Sequence, residues 1–116
     1  MRTQPSLAAM QRHVTDLVAK HDIYFETRWI RRAADAYAIR EADGAADEIH
    51  TPPIRSATTY ATALHEIGHI LGRYQTSRNS ITRERWAWQW ARDNALVWTK
   101  AMERHAIQAL AACSAS

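Results

Sequence analysis

The segment Tyr60 to Leu71, Y-A-T-A-L-H-E-I-G-H-I-L, is largely apolar, yet it carries two histidines and a glutamate. Tyr60, Ala61, Ala63 and Leu64 precede these polar residues, and Ile67, Ile70 and Leu71 follow, which reads as a helix buried over most of its surface. A chain that encloses such a helix must wrap other elements around it. It must also give the enclosed imidazoles and carboxylate partners of their own. The 116 residues allow one core, so residues 1–116 are read as one domain. At that length neither disulfides nor metals are needed to hold a fold together.

The flanking patterns suggest what does the wrapping. Leu7, Met10, Val14, Leu17 and Val18 recur at helical spacing up to about Lys20, with Ser6 after Pro5 as the cap. Ile23-Tyr24-Phe25 and Trp29-Ile30 are β-prone, Tyr37 and Ile39 alternate with Ala36 and Ala38, and Glu48 to Thr51 forms a third candidate strand stopped by Pro52-Pro53. With Asp43-Gly44 as a turn, these segments suggest a small antiparallel sheet, although the alanines between Ala33 and Ala46 leave helix as a competing reading. Ser56 or Thr58 can cap a helix from about Thr59 to Tyr74, loosened by Gly72. After the polar loop Gln75 to Asn79, Ser80 can cap a helix running through Trp86, Trp88 and Trp90 to about Trp98, and Thr99 a last one through Met102, Ile107 and Leu110. The order implies an α+β fold.

Residues four apart on a helix share a face, so His65 and His69 can present two imidazoles to one metal ion. Glu66 lies between them in rotation, close enough to reach a water activated by that metal without ligating it, which makes it the candidate catalytic base. Zinc suits such a donor set. Two protein ligands are too few, so a third is required. In the extended pattern H-E-x-x-H-x-x-G-x-x-H, Gly72 matches but the last position is Gln75, a poor zinc ligand. Glu84 is the better choice, one loop and one helical turn beyond His69, on a helix that can fold back antiparallel. Ala87, Ala91 and Ala95 continue its face and would let the two helices approach, and Gly68 beside His69 permits the same. The bland alternative for Glu84 is a surface pairing with Arg83 or Arg85; Asp93 and Glu103 are weaker candidates for the ligand.

With these residues in hand, the stretch Tyr60 to Ala95, about a third of the chain, resembles the core of compact gluzincin metallopeptidases of the ImmA/IrrE type, many of them phage-associated. The resemblance rests on T-A-L-H-E-I-G-H-I-L-G and E-R-W-A-W-Q-W-A. It implies a zincin-like helix bearing His65 and His69, a following helix bearing the zinc-binding Glu84, and hydrolysis of peptide bonds with Glu66 as general base. Many members have a further histidine where this chain has Arg73. Tyr74, His50, His105 and Arg85 are candidates for a second group that stabilises the tetrahedral intermediate. The strand Glu48 to Thr51 lies where gluzincins have an edge strand that receives an extended peptide, and is read either as such an edge or as an ordinary one blunted by its prolines. Asp93, Asp35 and Asp47 are candidates for orienting the histidines.

Composition bears on the competing classes. The net charge of +3 comes from basic residues interspersed with carboxylates rather than gathered on one tail, which argues against nucleic acid as the partner. The lone Cys113 excludes an internal disulfide and a cysteine zinc site. With no apolar leader or membrane-length run, the expectation is a cytoplasmic protein acting on a peptide or protein substrate. The alternative reading is a catalytically silent zinc-binding interaction or regulatory module. The tryptophans of residues 86 to 98 are assigned mainly to the core, but Trp88 and Trp98 do not both share the Trp86 and Trp90 face, so at least one is expected at the cleft rim or an interface.

Overall fold

The computed structural model describes residues 5–28, 36–40 and 47–115. Its elements are α1 (Leu7–Lys20), β1 (Ile23–Thr27), β2 (Tyr37–Ile39), β3 (Asp47–Thr51), α2 (Ala57–Leu71), α3 (Ser80–Asn94) and α4 (Lys100–Ala115), an α+β order. The candidate strand Trp29-Ile30, the Asp43-Gly44 turn and Asp35 lie outside the described residues. Ser6 begins α1, its Oγ accepting the Ala9 N–H at 3.1 Å, and Met10, Val14 and Val18 form the buried row of that helix.

The three strands lie in the order β1-β3-β2. β2 runs antiparallel to β3, with Ala38 opposite Ile49, whereas β1 runs parallel to it, with Phe25 opposite the same Ile49. The sheet is therefore mixed, which corrects the antiparallel expectation. Successive short strands suggest hairpins, but a parallel pair needs a return of a dozen or more residues, and residues 28–46 supply it. A second correction follows. β3 is the central strand, so Glu48 to Thr51 is no edge; β2 is an outer strand, paired on one side among the described residues.

α2 is the buried axis of the molecule, with Tyr60, Ala61, Ala63, Leu64 and Ile67 all at 0% exposure. Val14 of α1, Ile49 of β3, Trp88 of α3 and Met102 of α4 join the same core. Ser56 caps α2 reciprocally with Thr59. The helix ends at Leu71 rather than Tyr74, because Gly72 turns extended after its N–H closes on the Gly68 carbonyl at 2.8 Å. α3 is capped by Asn79, whose Oδ1 accepts from Ile81 and Thr82 at 2.9 and 3.2 Å, so Ser80 is its first residue rather than its cap. It stops at Asn94, short of Trp98: the Asn94 side chain takes the Trp90 carbonyl, and the Leu96 N–H leaves the helical ladder for the Tyr60 hydroxyl at 3.0 Å. Thr99 caps α4 through the Met102 N–H at 3.1 Å.

Candidate metal centre

The close approach of α2 and α3 builds the site. A Cβ placed on Gly68 would lie 3.0 Å from Ala87 Cα and nearer still to its carbonyl oxygen, so only glycine admits α3 at this depth. Ala87 and Ala91 are fully buried at the crossing, while Ala95 lies just past the helix end. With the axes this close, Glu84 in the first turns of α3 reaches the face of α2 that carries both histidines.

The geometry there is convergent. One Glu84 oxygen lies 2.8 Å from His65 Nε2 and the other 3.0 Å from His69 Nε2. The donor atoms of His65, His69 and Glu84 all lie within 4.8 Å of one another. Glu66 is 4% exposed, with Oε2 3.2 Å from the opposite nitrogen of His65, Nδ1. Among the described residues no other polar contact engages its carboxylate, so the second oxygen is available to the cavity that Glu66 helps to line. Trp88 stacks face to face on His65, with centroids 4.1 Å apart and planes 8° from parallel, and fixes the ring from its other side.

Charge in this cluster is tightly balanced. Burial pushes the His65 imidazole down, but the Glu66 and Glu84 carboxylates at its two nitrogens outweigh this and raise its pKa to about 9. Burial pushes Glu84 up, and hydrogen bonds from His65 and His69 overcome it to hold the carboxyl well below the usual range. The two carboxylates thus favour the protonated form of His65, and the imidazoles favour the ionised form of Glu84. Two imidazole nitrogens and a carboxylate oxygen this close together form a donor set that could hold a metal ion.

A cavity of about 870 Å³ opens over the cluster. Ala36, Tyr37 and Ala38 of the β2 edge line one side, and His105, Ala109 and Cys113 of α4 line another. Of the four candidates for a second stabilising group, His105 alone faces this cavity, its Nε2 3.1 Å from Thr62 Oγ1. Burial, with the charge of His65 behind it, pushes the His105 pKa down. His50 is buried on β3 under Tyr37, Tyr74 is exposed against Trp86, and Arg85 is exposed on α3.

The weaker ligand candidates are engaged elsewhere. Asp93 accepts from Gln89 at 2.9 Å, and Glu103 accepts from Arg92 and from the Trp98 indole, both at 2.7 Å. Asp93 therefore does not orient a histidine, and Asp47 sits on β3 away from the cavity lining. The Arg83 guanidinium bonds the Ser77 carbonyl and leaves Glu84 to the histidines. Gln75, passed over as a ligand, is buried with its Oε1 3.0 Å from His69 Nδ1. Nothing in a polar loop sequence marks which amide will fold inward.

Among the described residues no helix is long and apolar enough to cross a membrane. Comparison with protein-family models, with curated proteins and with solved structures finds no match.

Proposed function

We propose that this chain is a zinc-dependent peptidase of the compact gluzincin type, with His65, His69 and Glu84 as the metal ligands. The observation that carries the reading is the convergence of two Nε2 atoms and one carboxylate at a single point, beneath a cavity that Glu66 also lines. Zinc held by these residues would supply Lewis acidity that polarises a peptide carbonyl and acidifies a water. Glu66, buried and without a second polar contact among the described residues, takes the proton of the attacking water and delivers it to the leaving amine. Its own stem on α2 keeps it in fixed register with the two histidines. His105 on the α4 wall faces the same cavity, its Nε2 engaged with Thr62 Oγ1. β2, paired on one side among the described residues, brings Tyr37 and Ala38 to the cavity wall, and an extended peptide would add there as a strand.

The decisive experiment compares wild type with Glu66→Gln after zinc loading. Both should retain about one zinc per chain, while cleavage of a peptide library, read by mass spectrometry, should occur with wild type and disappear in the variant. Zinc-loaded wild type without any cleavage would favour a silent binding module. Equal cleavage by the two proteins would remove Glu66 from the mechanism.

A further inference from the structure

We infer that Gln75 is a positioning residue of the metal centre, a strut that sets the tautomer of His69 and ties that ligand to the helix carrying Glu84. This rests on the reading of His65, His69 and Glu84 as a metal site.

The argument is one of hydrogen-bond accounting. Gln75 is 9% exposed, and its Nε2 donates to the Arg83 carbonyl at 2.8 Å and the Arg73 carbonyl at 3.2 Å. Both partners are acceptors only, so the NH₂ end of the amide must face them and a flipped amide would face oxygen with oxygen. The orientation of Oε1 is thereby decided, and it points at His69 Nδ1 at 3.0 Å. A carbonyl oxygen cannot donate, so Nδ1 must carry the hydrogen. Where a metal takes the place of the Nε2–Glu84 contact, the neutral ring then presents its lone pair to that ion from Nε2.

The same amide has a second reach. The Arg83 carbonyl belongs to the residue just before Glu84, so one side chain grips the second ligand through oxygen and the backbone beside the third through nitrogen. His69 and Glu84 lie on different helices, and the loop between them is short. The backbone at the preceding residue is left-handed, with Tyr74 at φ 60°, a conformation disfavoured for a bulky residue. The Tyr74 ring rests edge-on against Trp86, 5.0 Å between centroids.

The test uses zinc affinity, by competition with a chromophoric chelator, together with the tautomer of His69 in long-range proton–nitrogen spectra. Gln75→Met keeps the length and removes the acceptor; it should weaken zinc binding by roughly tenfold to a hundredfold. Gln75→Glu restores an acceptor for His69 but loses the two-donor grip on the carbonyls. It should recover zinc affinity over Gln75→Met while melting below wild type in the metal-free state. A purely structural role predicts instead that affinity follows stability in both variants, and that result overturns the inference. Zinc-loaded wild type should show the His69 proton on Nδ1, protected from exchange; zinc bound to Nδ1 overturns the inference whether or not either variant folds. Wild type that binds no zinc overturns the metal reading and this inference together, whereas normal zinc binding by Gln75→Met overturns this inference alone.

Discussion

A half-buried carboxylate such as Glu84 is held in place by what it meets, and among the described residues it meets two imidazole nitrogens and no lysine or arginine. Each oxygen serves one histidine, so the side chain cannot turn toward solvent without losing both contacts. Replacing Glu84 with Gln keeps the shape and removes the charge. An outer-shell partner of a metal ligand is worth up to about a hundredfold in affinity, so loss of a direct ligand should cost on the order of a hundredfold or more. Competition titration of zinc against Glu84→Gln measures it, and unchanged affinity would point to a third ligand other than Glu84. His65 has the opposite surroundings, enclosed by Trp88 on one face and by carboxylates at both nitrogens.

Between elements, the controlling distance is that between α2 and α3. In an ordinary helix interior Gly→Ala stabilises by roughly 0.5–1 kcal/mol, because alanine loses less backbone freedom on folding. At Gly68 the sign should reverse, since the added methyl would meet the Ala87 backbone rather than a yielding side chain. Overpacking of that kind costs about 1–3 kcal/mol. The shift of α3 that relieves it would also carry Glu84 away from His65 and His69, so Gly68→Ala is expected to lower both thermal stability and zinc affinity. A variant with wild-type or higher melting temperature would show that the crossing has slack. Further along, α3 and α4 are clasped by the paired bonds of Arg92 to Glu103, 2.7 and 3.1 Å, with the Trp98 indole on the same carboxylate. This clasp keeps the α4 wall of the cavity in place.

Across the whole molecule, Tyr60 joins parts that are far apart in sequence. Its hydroxyl accepts the Leu96 N–H at 3.0 Å and shares a hydrogen bond of 2.6 Å with His13 Nδ1. One oxygen thus links α1, the buried α2 and the connection from α3 to α4. Tyr60→Phe preserves the packing of a fully buried ring and orphans the Leu96 N–H and His13 Nδ1. A loss of about 0.5–1.5 kcal/mol per hydrogen bond in denaturant unfolding is expected, since both partners keep some access to water. A change near zero would mean that water or a small rearrangement replaces the hydroxyl at both ends.

Much of this was legible without coordinates. The helical period of α1 and the apolar run of α2 are local signals, and Ser6, Ser56 and Thr99 cap where their side chains can reach the next turn's N–H groups. The i, i+4 spacing of His65 and His69 places them on one face of any helix they occupy, and the Glu84 spacing made its return to them feasible. Strand partners were not legible, because direction depends on where an intervening segment takes the chain; β1 therefore lies parallel to β3, which became the middle strand instead of an edge. Nor were the partners of buried polar groups. Gln75 and Tyr60 each satisfy atoms distant in sequence or in a different element, and such pairings exist only after the helices have packed. Periodicity and caps act over a few residues and so are written in the sequence, whereas register, edges and polar partners are decided by which surfaces close on one another.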